Sequence, residues 1–587
     1  MRRPSAGLRP RRDDSGRSRR VHPDQWYGKR GGRRLGACRG LRSAARGDAR
    51  QSGDGGRCLP GGTNAGGSGS LAGLPSGIQP QDRSAGGDGP SLARPSVRGR
   101  VSSPAPLSAG ASGRDRVRGV GHRHGSRIVI APSNAIDPEE SWDVVIIGAG
   151  PSGSIAALEL ARAGKRVLVV DKESFPRFRI GESMLPHTNR VMEQLGLMDR
   201  VRELPHVVKR GLEISFGDGR RDPAAIPFER MLGDTIKQTF NIRRSLYDQM
   251  LADVAMEAGA VYRFDDSVES IDHLARGDVR LQLGSGPIRS NWLIDASGQA
   301  CVLGRHLGTR KLLDGYRNVS YFEHFEGVER PSGDREGFAT LAMCREGWFW
   351  MIPIDEKTTS VGVVLDEKLA RLIPVPANQR LDWCIENCPL VKHRLRDAVG
   401  PKTNEVVGDF SYTCEPYAGD GWFMAGDAAA FIDPVWSTGV SLGIDSGLQS
   451  ARRIIDVDSG RMAADAASRA YGKRVTRLRS SFLSLISNFY DHSFRELLVS
   501  GHSPFEVDAA VVNMLAGEIF EGVPFRVRWR WELMRWFKEL NRYRKVVEWI
   551  RPHSVLQSGG VALPAPHSGV VRGIKRRHRG QPSWQPS

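Results

Sequence analysis

A glycine-rich turn is the first stretch of the sequence whose residue types could do chemistry. Gly148, Gly150 and Gly153 form a Gly-x-Gly-x-x-Gly pattern. The pattern follows the apolar run 142–147, and Asp171 stands 23 positions after the first glycine. Glycines at this spacing let the backbone approach a pyrophosphate at a helix N-terminus, and the acid accepts a hydrogen bond from a ribose hydroxyl. The stretch therefore predicts a dinucleotide-binding site.

A second candidate is the stretch FIDPVWSTG, which runs from Phe431 to Gly439. Ser437, Thr438 and Gly439 precede a predicted helix at 440–453, so their backbone N–H groups lie at the positive end of that helix. A ring of such donors can bind a small anion. The same residue types also make an ordinary helix N-cap. The residues alone leave both interpretations open.

Two tryptophans and a lysine are the remaining candidates. Trp348 and Trp350 stand two positions apart in an apolar run that ends at Pro353. This spacing predicts a strand with both indoles on one face. Lys209 lies in the run HVVKRG. Taken alone, the tryptophans are typical of a buried strand face and the lysine of a solvated charge.

The elements that must position these residues follow from the hydrophobic pattern. Residues 142–147 and 167–170 predict buried parallel strands on either side of a helix at 154–163. Two later apolar runs also predict strands that end in small-residue turns, one at Asp295 and one at Gly426-Asp427. The chain is therefore expected to form an α/β fold with a Rossmann-like βαβ unit.

The charge of the chain is concentrated in its tails. The formal net charge is +19, and residues 1–130 hold 26 Lys/Arg against 8 Asp/Glu. Residues 551–587 hold 6 basic residues and no acidic ones, which leaves −5 for residues 131–550. This distribution argues against a nucleic-acid-binding role for the folded body, although a basic nucleic-acid-binding protein remains the alternative of a different class. We also expect no transmembrane segment, because no stretch approaches 18 uninterrupted apolar residues.

The cysteines do not form a metal site. The chain has 7 cysteines, and Cys384 and Cys388 are the close pair, with no histidine or second pair to complete a ligand set. We expect reduced thiols in the cytoplasm and no bound metal.

The strand ends identify the dinucleotide by resemblance. The runs LIDASG, which contains Asp295, and WFMAGDAA, which contains Gly426 and Asp427, resemble the FAD-binding motifs of the glutathione-reductase-like flavoproteins, in their para-hydroxybenzoate-hydroxylase branch. In that branch an arginine opens a helix near the flavin, as Arg243 does in NIRRSLYDQML. The resemblance implies FAD as the cofactor, held by Gly148, Gly150, Gly153, Asp171, Arg243, Asp295, Gly426, Asp427 and Pro434.

Three features resemble one family on this fold, the flavin-dependent halogenases. The stretch 431–439 matches F-x-x-P-x-x-S-x-G, and WFWMIP matches W-x-W-x-I-P. Lys209 follows RIGESMLP, as the active-site lysine of the family does. The resemblance implies that reduced FAD and O2 oxidise chloride or bromide, held at Ser437, Thr438 and Gly439, to hypohalous acid. Lys209 would relay it, and Trp348 and Trp350 would wall the flavin from the substrate.

The resemblance also bears on substrate and partners. Tryptophan halogenases carry a glutamate directly before the Ser-Thr-Gly element, where this chain has Trp436. The chain looks more like the branch that acts on phenols, pyrroles or carrier-protein-bound acyl groups. No second Gly-x-Gly-x-x-Gly follows a strand, which is compatible with a separate flavin reductase. A monooxygenase or reductase of the same fold, without halogenation, is the alternative.

These observations divide the chain into four parts. We expect a disordered Arg/Gly/Ser-rich segment at 1–130, and an alternative interpretation starts the native protein near Ile128. An FAD-binding domain with an inserted, mainly antiparallel substrate-side sheet would span 131–460. A helical region would cover 461–550, and a basic, disordered tail would cover 551–587.

Overall fold

The computed structural model describes residues 141–562, except 234–235, 402–403, 409 and 502–503. The segment predicted to be disordered at 1–130 and the tail after residue 562 lie outside the described residues.

In chain order the described strands are β1 (Ser141–Ile147), β2 (Val167–Val170), β3 (His206–Lys209), β4 (Gly211–Ser215), β5 (Ala224–Pro227), β6 (Thr239–Ile242), β7 (Val261–Arg263), β8 (Val268–Ala275), β9 (Asp278–Leu283), β10 (Gly286–Asp295), β11 (Arg310–Leu312), β12 (Asn318–Glu326), β13 (Ala339–Met343), β14 (Gly347–Pro353), β15 (Thr358–Asp366), β16 (Glu405–Gly408), β17 (Tyr412–Cys414), β18 (Ala418–Gly419), β19 (Trp422–Met424) and β20 (Ala430–Phe431).

The described α-helices are α1 (Pro151–Arg162), α2 (Pro186–Gln194), α3 (Met198–Glu203), α4 (Arg244–Glu257), α5 (Val302–His306), α6 (Glu367–Ala370), α7 (Arg380–Glu386), α8 (Pro389–Arg394), α9 (Gly439–Asp458), α10 (Ala464–Phe489), α11 (His492–Val499), α12 (Val507–Asn513), α13 (Ile519–Glu521), α14 (Phe525–Arg544) and α15 (Val555–Ser558).

The first sheet confirms the predicted Rossmann-like unit. Its strand order is β18-β19-β10-β1-β2-β7, with the β8–β9 hairpin continuing from β10. β1 is parallel to both β2 and β10, and β10 is parallel to β19. The Val, Leu and Ile residues of β1 and β2 are buried, as expected for central parallel strands covered on both faces. The carboxyl ends of β1, β2, β10 and β19 therefore meet at one edge.

The second large sheet is the predicted substrate-side sheet. Its order is β16-β12-β15-β14-β13-β4-β5, and its pairs are antiparallel except for β13 with β4. One face of this sheet packs against α10, α11, α12 and α14. The other face packs against α7, α8 and α15. The α/β fold class with a helical C-terminal region is thus confirmed, and its sheets are mixed.

The C-terminal boundary differs from the expected one. The tail was predicted to begin at 551, but residues 551–562 are described and include α15. Val555 and Leu556 of this helix are buried against the substrate-side sheet. A four-residue helix is too short to produce a recognisable hydrophobic period, so the basic, proline-rich composition around it dominated the sequence pattern.

Two classes of feature are missing from the described ranges. Between residues 141 and 562, apart from the gaps noted above, no helix is long and apolar enough to cross a membrane. The same residues contain no group of His, Cys, Asp or Glu side chains placed to hold a metal ion.

Candidate functional site

The glycine-rich turn lies between β1 and α1, as predicted. Gly148 has φ +104°, and a Cβ there would overlap the backbone carbonyl of Ala296. A Cβ at Gly153 would overlap the carbonyl of Gly148. The Ser152 hydroxyl at the start of α1 is buried without a hydrogen-bond partner. A close backbone approach beside an unpaired hydroxyl and a helix N-terminus fits the pyrophosphate of FAD.

The acidic side chains at the strand ends have distinct environments. Asp171 follows β2, and its Oδ2 accepts a hydrogen bond of 2.7 Å from the backbone N–H of Ala149. Asp295 is fully buried, and its two oxygens accept from the backbone N–H groups of Ser297 (3.0 Å) and Leu303 (2.7 Å). Asp171 thus braces the glycine-rich turn, and Asp295 shapes the loop after β10.

Asp427 follows β19 and borders a small cavity. This half-buried carboxyl has a pKa raised to about 6 because it is desolvated, with Arg244 opposing the rise. Gly426 donates its backbone N–H to the Ser446 hydroxyl at 2.7 Å, which fixes the turn against α9. Of the predicted cofactor side chains, Asp427 is the acid best placed to meet a ligand.

The two arginines that open α4 take different partners. Arg243, the predicted cofactor residue, donates to Asp355 (2.7 Å) and Thr358 (3.1 Å) at the β14–β15 turn. Arg244 instead forms a two-point ion pair with Asp248 and donates to the carbonyl of Ile180 at 2.7 Å. Of the pair, Arg244 is the one whose charge acts on Asp427, a distinction that two adjacent arginines in the sequence do not reveal.

The predicted halide residues lie at the start of α9. Pro434 begins a short 3-10 turn that ends at Trp436, and Ser437 then adopts a left-handed conformation with φ 55°. α9 begins at Gly439, so the N–H groups of Thr438 and Gly439 precede any intrahelical acceptor. We call residues Ser437, Thr438 and Gly439 the halide cup.

Thr438 and Gly439 of the halide cup and Gly426-Asp427 of the cofactor motif border one cavity, whereas the Ser437 N–H donates to the carbonyl of Pro434 at 2.9 Å. The volume of this cavity is about 50 Å³, and its lining includes Asp427, Phe431, Asp433, Thr438 and Gly439. A chloride or bromide ion bound at the cup would therefore lie beside the strand end that the FAD motif occupies. Both the anion-binding and the helix-cap interpretations fit this geometry, and the halide role of these residues stays a prediction.

The two predicted tryptophans, Trp348 and Trp350, lie on one face of β14, and we call this pair the tryptophan wall. Their indole centroids are 5.9 Å apart, and both side chains are buried. Trp350 donates its Nε1–H to the Ser360 hydroxyl at 3.1 Å. Trp348 donates to the Tyr490 hydroxyl at 3.1 Å. Both indoles are thus fixed by a hydrogen bond as well as by packing.

A polar network joins this wall to the halide cup. The Tyr490 hydroxyl donates to Asp433 Oδ2 at 2.8 Å, and Asn318 Nδ2 donates to the same oxygen at 3.1 Å. Asp433 Oδ1 accepts the backbone N–H of Val435 at 2.9 Å, within the turn that leads to the cup. Desolvation raises the pKa of Asp433 to about 6. Sequence reasoning missed Tyr490 and Asn318, which lie far along the chain and belong to no local motif.

Lys209 is buried at the end of β3 and is 2% exposed. Its Nζ donates to the Ser183 hydroxyl at 2.8 Å and to the carbonyl of Met184 at 3.1 Å. These acceptors are uncharged, and the ammonium lies 5.5 Å from the centre of the Phe228 ring. Desolvation lowers the pKa of Lys209 to about 7.

Trp436 occupies the position before the Ser-Thr-Gly element and is 2% exposed. Its ring packs edge-on against Phe489 of α10, with centroids 5.2 Å apart. The aromatic helices of the C-terminal region therefore close this side of the site as packed core.

Comparisons with known proteins agree with this geometry. A family model described as "FAD binding domain" matches residues 141–478. A curated relative, the 1H-pyrrole-2-carbonyl-[peptidyl-carrier protein] brominase of Pseudoalteromonas luteoviolacea, is 31% identical over 322 residues, covering 54% of this chain and 77% of the relative. The corresponding chlorinase of Pseudomonas fluorescens is 27% identical and covers 65% of this chain and 91% of the relative.

A solved structure shows the same likeness. The flavin-dependent brominase Bmp2 aligns with a TM-score of 0.60 at 30% identity, covering 69% of this chain and all of the brominase chain. The family predicted from the sequence motifs is thereby confirmed, as is FAD as its cofactor. The chain belongs to the flavin-dependent halogenases, enzymes built on the FAD-binding domain.

Proposed function

We propose that this enzyme halogenates an electron-rich aromatic ring, of the pyrrole class and carried on a protein thioester, and that Lys209 transfers the halogen. The observation that carries the proposal is the state of Lys209. It is buried beside uncharged acceptors, and its pKa of about 7 leaves a large fraction of the amine neutral near neutral pH. A neutral amine is nucleophilic toward an electrophilic halogen, whereas an ammonium ion is not.

The residues around the small cavity supply the first half of the reaction. When bound and reduced, FAD supplies the electrons with which O2 is activated to oxidise the halide. The halide cup and the positive end of α9 hold the anion, and the lining of the cavity includes Asp427. The wall of Trp348 and Trp350 keeps the substrate away from the flavin.

Lys209 acts in the second half of the reaction, the transfer of the halogen to the substrate. Its neutral amine either holds hypohalous acid by a hydrogen bond or reacts with it. In the covalent alternative an N–X bond forms, the O–X bond breaks and water leaves. The ring then attacks the halogen as the N–X or O–X bond breaks, and the ring loses a proton.

The substrate class rests on relatives and on Trp436. Two of the relatives described above act on pyrrole-2-carbonyl groups held on a peptidyl carrier protein, as their names state. A large buried indole stands where tryptophan halogenases place a glutamate, which argues against free tryptophan as the substrate. We include a separate flavin reductase and a cytoplasmic location in the proposal; the five described cysteines are all free thiols.

The test is a halogenation assay on the full chain with FAD, a separate flavin reductase, NADH and bromide. The substrates are pyrrole-2-carboxyl pantetheine thioester and free tryptophan. We expect the isotope doublet of bromine in the pyrrole product. Hydroxylated product, or NADH oxidation without the reductase, would support a monooxygenase instead, and brominated tryptophan alone would overturn the substrate class.

One variant and one control test the role of Lys209 in halogen transfer. Lys209→Ala is expected to lose at least 100-fold in product formation while binding FAD normally. Lys392→Ala serves as the matched control, because the Lys392 side chain is 57% exposed and pairs with Glu386 on the surface. Equal product from Lys209→Ala and Lys392→Ala would remove Lys209 from the reaction.

A further inference from the structure

A carboxylate–imidazole pair lies beside the tryptophan wall, and its carboxylate, Glu182, belongs to the RIGESMLP stretch, although the family resemblance gave it no role. Glu182 is 1% exposed, and its Oε1 lies 2.9 Å from Nε2 of His324. The other carboxylate oxygen accepts the backbone N–H of Gly181 at 2.9 Å. The His324 side chain is 15% exposed. A carboxylate that engages one imidazole nitrogen fixes the ring and leaves the other nitrogen for proton transfer.

His324 shares a sheet face with the tryptophan wall. It lies on β12 opposite Ser360 of β15, the residue whose hydroxyl accepts the Nε1–H of Trp350. Phe322 lies two residues earlier on the same face, with its ring 6.0 Å from that of Trp350. Phe178 contacts both, at 6.1 Å from the Phe322 ring and 5.1 Å from the His324 ring. Neighbouring rings of Phe322 and Phe178 thus connect Trp350 of the wall with His324.

The segment that carries Glu182 also packs on the start of α9. A Cβ built at Gly181 would lie 3.8 Å from Cγ2 of Val440, the residue that follows the halide cup. The same Cβ would lie 3.0 Å from Nη1 of Arg244. The Arg244 guanidinium is acted on by the charges of both Glu182 and Asp427. The Glu182–His324 pair is therefore adjacent to the cofactor motif and the cup.

Lys209 lies on the other side of this segment. Ser183, which accepts the hydrogen bond from Lys209, pairs as an extended residue with Asn241 of β6. Consecutive side chains of an extended segment point to opposite sides. Glu182 therefore points to the side opposite Lys209, toward His324.

We propose that His324, oriented by Glu182, donates the proton that halide oxidation consumes, an inference that rests on the proposed halogenase reaction. Reduced FAD, O2, a halide ion and one proton give FAD, hypohalous acid and water. The O–O bond breaks and an O–X bond forms. Reduced FAD and the halide each lose two electrons, and O2 gains four. The proton comes from the His324 imidazolium, which solvent then reprotonates.

A proton donor on this side must be distinguished from the neighbouring titratable groups. The charged groups packed around the pair are Arg244, Asp427 and, beyond Arg244, Asp248. Lys209 lies beyond Ser183. If His324 is the donor, halide oxidation declines at high pH, where the donor has lost its proton. Glu182→Gln should alter this decline, because it removes the carboxylate that holds the ring.

The experiment compares His324→Gln, Glu182→Gln and the control His393→Gln, whose side chain is 64% exposed. The full-length protein, with reduced FAD and bromide, brominates monochlorodimedone as a trap for hypobromous acid. Product is counted per reduced FAD consumed, with hydrogen peroxide as the competing product. We expect His324→Gln to lose about 100-fold in brominated trap and to lose the pH-dependent decline.

Two measurements independent of turnover exclude a structural explanation. FAD affinity, followed by flavin fluorescence, should stay within about threefold of wild type in both variants. With histidine labelled at Cε1 by carbon-13, the FAD-free protein should show one resonance lost in His324→Gln. That resonance should change its chemical shift in Glu182→Gln, because the ring loses its carboxylate partner.

The outcomes separate this inference from the proposed function. A wild-type protein that brominates neither the trap nor the pyrrole thioester would overturn the halogenase reaction and the proton donor with it. A wild type that brominates, with His324→Gln equal to it, would overturn the proton donor alone. A pH-dependent decline that persists unchanged in His324→Gln would also overturn it.

Discussion

Replacing Lys209 with methionine should abolish halogen transfer. It should also raise the free energy of unfolding by an amount that depends on pH. Burial lowers the pKa of the lysine from 10.5 to about 7. Each unit of difference between the folded and unfolded states is worth about 1.36 kcal/mol, so at acid pH the charged lysine costs the fold about 5 kcal/mol. Methionine has a similar length and no charge, so Lys209→Met removes this cost.

The sign of the pH dependence follows from the direction of the shift. Between about pH 7 and pH 10.5 the unfolded chain binds a proton at Lys209 that the folded chain does not, so wild-type stability rises with pH across this window. The penalty on the wild type is about 4 kcal/mol at pH 7 and about 2 kcal/mol at pH 9. The stability difference between Lys209→Met and wild type should therefore shrink by about 2 kcal/mol from pH 7 to pH 9.

The change in this stability difference between pH 7 and pH 9 reports on the lysine charge more directly than the stability difference at one pH does. The variant also leaves Ser183 and the Met184 carbonyl without their lysine partner, which costs about 1–3 kcal/mol at every pH. That cost cancels in the comparison. Denaturant unfolding of the FAD-free protein at pH 7, 8 and 9 measures it, with Lys392→Met as a control that should show no pH-dependent difference.

A stability difference between Lys209→Met and wild type that stays constant from pH 7 to pH 9 would refute the reasoning. It would mean that Lys209 keeps an ordinary pKa and is a charged residue at neutral pH. The neutral-amine role in halogen transfer would then lose its physical basis.

Three further substitutions test other parts of the site. Gly148→Ala should weaken FAD binding at least tenfold, measured by fluorescence titration, because its Cβ overlaps a neighbouring carbonyl; normal affinity would contradict the close approach. Gly362→Ala should cost about 1–3 kcal/mol in denaturant unfolding, because its Cβ overlaps the indole of Trp350; an unchanged midpoint would show that the wall is loose. Tyr490→Phe removes a hydrogen bond that lowers the pKa of Asp433, so that pKa should rise above about 6. The KM for bromide at pH 7 should then fall by about twofold or more with FAD affinity unchanged, because a protonated Asp433 repels the anion less, whereas an unchanged KM would uncouple the network from the halide cup.

The parts of the site that are local in sequence could be predicted. The glycine-rich turn, the strand ends at Asp295 and Asp427 and the start of α9 each depend on residues within one short stretch. Their geometry follows from backbone rules for glycine and helix termini. The placement of Trp348 and Trp350 on one face followed from the two-residue period of a strand. The roles predicted for these residues in turnover stay predictions.

The parts that depend on long-range pairing could not be predicted. Tyr490 meets Trp348 across 142 residues, and His324 meets Glu182 across 142 residues as well. No local periodicity marks such contacts, because they form only when the sheet register and the helix packing are set. The different partners of Arg243 and Arg244 could not be predicted for a related reason, since adjacent residues at a helix start diverge by about 100°.

Helix α9 carries the halide cup at one end and meets the glycine-rich turn further along. A Cβ at Gly447 would overlap the backbone carbonyl of Ser152, so the two helices touch there without side chains between them. Gly447 follows Gly439 by eight positions, which fixes about 12 Å of rigid helix between the proposed halide cup and the glycine-rich turn. Point substitutions elsewhere do not change this spacing, because it is set by the number of residues in the helix. Inserting one residue would turn the proposed halide cup by about 100° about the helix axis relative to the glycine-rich turn. Substitutions in the C-terminal helices leave this spacing unchanged, so the proposed halide site and the glycine-rich turn keep their separation as long as α9 keeps its length.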